Sequence, residues 1–111
     1  MARAIFDPQI GAALRSVHGS VNNNWTVASL AETAGMSRSA FAVRFKELLG
    51  QTPLGYVTQW RMQKAIQMLP QRHKKLIEIT QSLGYESDAA SSKTFKRVVG
   101  TTPDEYRRNG L

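Results

Sequence analysis

The chain has no cysteine among its 111 residues, which excludes disulfides and Cys-based zinc sites and fits a reducing, cytoplasmic setting. Its two histidines, His18 and His73, fall on separate helix and loop positions. No nucleophile–base pair, paired-carboxylate arrangement or metal-ligand cluster can be assembled around them, so we expect no enzyme, no metal and no cofactor. No apolar run approaches the roughly 18 residues of a membrane span, and the N-terminus lacks a signal-peptide core. Trp25 and Trp60 sit in different parts of the chain rather than on one basic amphipathic helix, which argues against a membrane-surface role. Strand-like alternation of apolar and polar residues is missing throughout.

Acidic residues are also scarce. Eight Asp and Glu stand against 15 Lys and Arg, a formal net charge of +7. An excess of this size on a small domain predicts attraction to a polyanion, nucleic acid first. Charge alone fits a merely basic surface equally well. Residues 1–69 and 70–111 are each net positive, so the charge does not belong to a disordered tail at one end.

What is present is a succession of helix signals. Asp7-Pro8 is an N-cap followed by proline at the first helical position, and Ile10, Ala13, Leu14 and Val17 follow at helical spacing up to Gly19. After the polar Asn22-Asn23-Asn24, Thr26 caps a second helix from Val27 to Ala34, stopped by Gly35. Ser37 caps a third that runs to Leu49, closed by Gly50. Thr52-Pro53 then opens a long helix to about Leu69. The polar stretch 70–75 is the expected seam. Beyond it come a short helix over 76–83 ended by Gly84, one capped by Ser87 and running to Val99, and a last one from Thr102-Pro103 through Tyr106. This predicts an all-α fold of about seven helices: a first helix-turn-helix subdomain over 1–55, a linker helix over 56–70, and a second subdomain over 71–111.

The two halves repeat. Phe45, Lys46, Gly50, Thr52, Pro53 and Tyr56 recur 50 residues later as Phe95, Lys96, Gly100, Thr102, Pro103 and Tyr106. Gly35 recurs as Gly84 at an offset of 49, so the second turn carries one extra residue, near Glu86. A short helix, a glycine turn and a longer polar helix make a helix-turn-helix unit. Projected at about 100° per residue, Phe41, Phe45, Leu48 and Leu49 face one way on the third helix, and Ser39, Ala42, Val43 and Lys46 the other. On the sixth helix Phe95, Val98 and Val99 face inward, while Ala89, Ser92, Lys93 and Lys96 face out. Small and basic side chains together suit a helix that enters a major groove.

These residues resemble the AraC/XylS transcription regulators. Leu30 to Ser37 with Phe41, Phe45-Lys46, Gly50 and Thr52-Pro53 is similar to that family's first unit. Trp60-Arg61-Met62 with Ala65 and Leu69 is similar to its linker helix, and Ile79 to Arg97 with Gly100, Thr102-Pro103 and Tyr106-Arg107 to its second unit. The resemblance implies sequence-specific binding of double-stranded promoter DNA, with two recognition helices in successive major grooves. Base contacts would fall on Ser39, Ala42 and Val43 in the first unit and on Asp88, Ala89, Ser92 and Lys93 in the second. Phosphate contacts would fall on Ser37, Lys46, Ser87 and Lys96, with Arg38, Arg44 and Arg97 as flanking backbone contacts. RNA polymerase is a partner by resemblance, and the family's effector-binding or dimerisation domain would lie outside this chain. A stand-alone regulator and the DNA-binding part of a longer protein both stay open. Two residues depart from the family pattern: Val43 stands where the family carries arginine, and Ser91, the repeat mate of Phe41, where it carries a large apolar residue. The first departure keeps a second reading open, a protein-interaction module or anti-regulator retaining the fold. The second predicts a serine on the core face and loose packing in the second unit.

Overall fold

The computed structural model describes residues 7–109. Among them it forms seven helices and no strand: α1 Pro8–Gly19, α2 Val27–Ala34, α3 Arg38–Leu49, α4 Pro53–Met68, α5 Leu76–Ser82, α6 Asp88–Val99 and α7 Pro103–Asn109. The fold class is all-α.

The caps carry out what the sequence signals. Asp7 accepts from the N–H groups of Gln9 and Ile10, both at 3.0 Å, ahead of Pro8. Thr26 and Ser29 exchange reciprocal bonds at the start of α2. Such bonds satisfy amide donors that a helix start otherwise leaves unpaired. Gly35 ends α2 at φ +70°, with its N–H on the Glu32 carbonyl and that of Met36 on Ala31, both at 3.0 Å. Gly84 ends α5 in the same way: its N–H meets Gln81 at 3.1 Å and that of Tyr85 meets Thr80 at 3.1 Å. This paired closure needs a left-handed residue, which glycine supplies at least steric cost. The two turns then differ by one residue, Glu86, before the next cap serine.

The chain divides into two compact units, residues 1–58 and 59–111, and the boundary falls inside α4. In the first unit α1, α2 and α3 pack around Ile10, Leu14, Val17, Leu30, Phe41, Phe45, Tyr56 and Val57. Phe45 meets the edge of Tyr56 at 5.7 Å between ring centres, and Tyr56 Oη is hydrogen-bonded to His18 Nε2 at 2.6 Å. In the second unit Met62, Ala65, Leu69, Ile79, Leu83 and Phe95 are buried. There Phe95 meets the edge of Tyr106 at 5.9 Å, the same contact 50 residues on. Arg107 donates to the Leu69 carbonyl at 2.9 Å and to that of Gln71 at 3.4 Å, while Arg72 donates to the Arg107 carbonyl at 3.0 Å. These bonds tie the polar stretch after α4 to α7.

Ser91 is on the core face as expected, 3% exposed where its mate Phe41 is 0% exposed. Val98 departs from expectation: it is 38% exposed. Val98 lies in the last turn of α6, where the helical period alone does not secure burial, and its mate Leu48, near the end of α3, is only half-buried.

Candidate nucleic-acid interface

Two helices present the same arrangement. On α3 the buried line is Phe41 and Phe45, and on α6 it is Ser91 and Phe95. Positions four apart lie on one side of a helix, so the opposite side is left to Ser39, Ala42, Val43 and Lys46, and to Ala89, Ser92, Lys93 and Lys96. Ser39, Val43, Lys46, Ala89, Lys93 and Lys96 are exposed, and Ala42 and Ser92 half-buried. Arg38 and Arg97 are exposed beside these faces. Asp88 opens α6, and its side chain lies outside the described residues.

Ser37 and Ser87 have a second task. Their hydroxyl oxygens accept from the N–H groups of Ala40 at 3.3 Å and Ala90 at 3.1 Å. Each hydroxyl keeps its proton to donate, so capping and a phosphate contact are compatible. The helix N-terminus behind each serine adds partial positive charge.

Arg44 stands apart. Its Nε lies 3.3 Å from Asp7 Oδ2, and a guanidinium nitrogen donates to Gln9 Oε1 at 3.1 Å. The side chain expected on the DNA backbone therefore braces α3 against the start of α1. In the second unit Arg61 lies over the Tyr85 ring, 5.5 Å from its centre. Burial pushes the Tyr85 hydroxyl above its ordinary pKa, and Arg61 and Arg97 only partly counter this. Tyr85 thus stays neutral in the turn that leads into α6.

One feature of the first unit escaped the sequence reading. Ala42, Val43, Lys46, Glu47, Thr52 and Pro53 line an open hollow of about 380 Å³ whose exposed walls are almost wholly apolar. Thr52-Pro53 had signalled a helix start, and projecting α3 alone says nothing of what α4 adds beside it. Among the described residues no group of His, Asp or Glu could hold a metal ion, and no helix is long and apolar enough to cross a membrane.

Two short helices joined by a glycine turn, twice over, with exposed second helices, define a double helix-turn-helix domain. A family model described as "Helix-turn-helix domain", the AraC type, matches residues 30–109. The chain belongs to this AraC-type helix-turn-helix family. It is 45% identical over 103 residues to a putative AraC-like transcription regulator of Streptomyces lividans, covering 93% of this chain and 34% of that protein. It thus spans about a third of the length of the curated relatives it matches. Among solved structures it is similar to the DNA-binding domain of AdpA, a global transcriptional factor, in complex with a target DNA. The TM-score is 0.85 at 28% identity, over 92% of this chain and 91% of that one. The C-terminal domain of AraT, a response regulator from Geobacillus stearothermophilus, matches with TM-score 0.88 at 27% identity, over 94% of this chain and 87% of that one.

Proposed function

We propose that this chain binds double-stranded promoter DNA in a sequence-specific manner and serves transcription regulation, with α3 and α6 in successive major grooves. The observation that carries this reading is the doubled face: Val43 and Lys46 on α3, Lys93 and Lys96 on α6, all exposed and each pair 50 residues from its mate. Support comes from the AdpA domain, a similar fold whose structure holds its target DNA. Ser39, Ala42 and Val43 read bases in one half of the site, and Asp88, Ala89, Ser92 and Lys93 in the other. Ser37, Arg38, Lys46, Ser87, Lys96 and Arg97 hold phosphates. Arg44 is left out of that set because Asp7 and Gln9 engage it.

The linker role of α4, a cytoplasmic location, a contact with RNA polymerase and an effector or dimerisation domain outside this stretch belong to the same proposal. So does the absence of catalysis.

The test is selection of bound duplexes from a random pool, followed by a salt titration of affinity. Arg38, Lys46, Lys96 and Arg97, each on one phosphate, predict a slope of log K against log salt of roughly −4. A pool that yields no enriched sequence, or a flat salt curve, removes the reading in favour of a protein-interaction module.

A further inference from the structure

We infer that the hollow beside α3 receives the 5-methyl group of a thymine, so that the first unit selects its half of the site by apolar contact. This rests on the proposed DNA binding and names which base edge that site takes.

Val43 is 60% exposed, the most exposed large apolar side chain among the described residues, and it stands on the outward face of α3. Ala42, one residue before it, and Pro53, at the start of α4, continue the apolar wall. Thr52, whose hydroxyl oxygen accepts from the Gly55 N–H at 3.1 Å, borders the hollow beside Pro53. Lys46 and Glu47 also border the hollow, but what the lining exposes is almost wholly apolar, so the hollow offers a phosphate no partner. What enters must be uncharged and apolar, yet attached to a polyanion. In the major groove only thymine presents such a group. Guanine and adenine present acceptors and an amino group, and Ala42 and Val43 have no side-chain donor or acceptor to meet them.

The experiment uses the whole chain and the duplex it selects. Each thymine is replaced singly by uracil, which removes the methyl and keeps every hydrogen-bonding group. At one or two positions in one half of the site affinity should fall about fourfold, the transfer cost of one methyl group. That penalty should shrink markedly in Val43→Ser, which removes both γ-methyl groups at an exposed position, keeps the circular dichroism spectrum and lowers affinity for the unmodified duplex by a similar factor. At the same position 5-methylcytosine should bind more tightly than cytosine, and less tightly than thymine.

If DNA is selected but no uracil substitution weakens binding, or the penalty is undiminished in Val43→Ser, the hollow does not hold a thymine methyl and the inference falls alone. If 5-methylcytosine binds better than thymine, a methylated cytosine is the occupant and the assignment to thymine falls. If the pool yields no enriched duplex, the DNA reading itself falls and takes this inference with it.

Discussion

Arg44 and Lys46 are two residues apart on α3, and the structure predicts opposite consequences for their loss. Arg44 makes an ion pair at 3.3 Å with Asp7 and a hydrogen bond at 3.1 Å with Gln9. Its side chain is 46% exposed and that of Asp7 15%, so solvent screens the pair. A partly exposed ion pair contributes about 0.5–1 kcal/mol, and the hydrogen bond to a neutral amide about 0.5 kcal/mol more. Arg44→Ala should therefore cost about 1 kcal/mol. In a unit of this size that lowers Tm by roughly 4–8 °C.

Asp7→Ala should cost about 2 kcal/mol, because the same carboxylate also caps α1 through Gln9 and Ile10. The double variant should cost less than the sum of the two, by roughly the ion-pair energy. Lys46 is exposed on the hollow's rim, and Lys46→Ala should change stability by less than about 0.5 kcal/mol. In DNA binding the order reverses: Lys46→Ala should flatten the log K against log salt slope by about 0.9, the share of one phosphate contact. Arg44→Ala should leave that slope unchanged. Urea denaturation and fluorescence anisotropy at four or five salt concentrations measure both quantities. If Arg44→Ala flattens the slope as much as Lys46→Ala and leaves Tm unmoved, the brace is incidental and Arg44 belongs on the phosphate backbone.

Three further outcomes follow from single residues. Gly35→Ala forces φ +70° on a residue with a Cβ; no atom lies within 4 Å to clash, so the cost should be the backbone strain alone, about 1–2 kcal/mol by thermal melting. Ser91→Leu should raise Tm by several degrees, since it adds apolar volume at a position 3% exposed whose mate is a phenylalanine; a fall would mean that the core has closed around serine. Hydrogen bonds from Thr102 hold the Glu105 carboxyl below its ordinary value of 4.5, so its contribution is present above about pH 4.5 and lost as pH falls through the lowered folded value. Melting curves between pH 5 and 3 should show this loss, and Glu105→Gln should reduce it.

The backbone was largely legible in the sequence, and side-chain pairing across the chain was not. Caps and stops are local signals. Asp7-Pro8, Thr26, Ser37, Thr52-Pro53 and Ser87 each announce a helix whose first amides they then bind, and Gly35 and Gly84 each announce a left-handed stop. The extra residue at Glu86 followed from counting alone. The inward lines Phe41–Phe45 and Ser91–Phe95 followed from the helical period. What the period does not contain is which side chain lies across from another. The Arg44–Asp7 brace joins positions 37 residues apart by sequence number, and the hollow forms only where α4 starts beside α3. The exposure of Val98 depends on which neighbouring helices reach it, which the period of α6 does not contain. For the candidate site, exposure was legible residue by residue, whereas the engagement of Arg44 and the concavity at Val43 were not.

The two units keep the same frame and differ in what they present, which leads to a last prediction. The left-handed glycine, the cap serine and the edge contact between Phe and Tyr occur in both. Between the two outward faces, Ser39 exchanges with Ala89, Ala42 with Ser92 and Val43 with Lys93. Outward side chains contribute little to folding, because most exposed substitutions fall within about 0.5 kcal/mol. The frame therefore holds whichever set of residues it carries. Installing the second face on the first unit, as Ser39→Ala, Ala42→Ser and Val43→Lys together, should leave Tm within a few degrees of the original. The selected sequence should change in one half of the site only, losing its thymine preference and acquiring the bases that Lys93 favours, guanine first. Selection from a random pool with this variant gives the answer directly. A collapse in Tm would mean that the outer face of α3 supports the fold. An unchanged selected sequence in a stable variant would mean that α3 does not read bases.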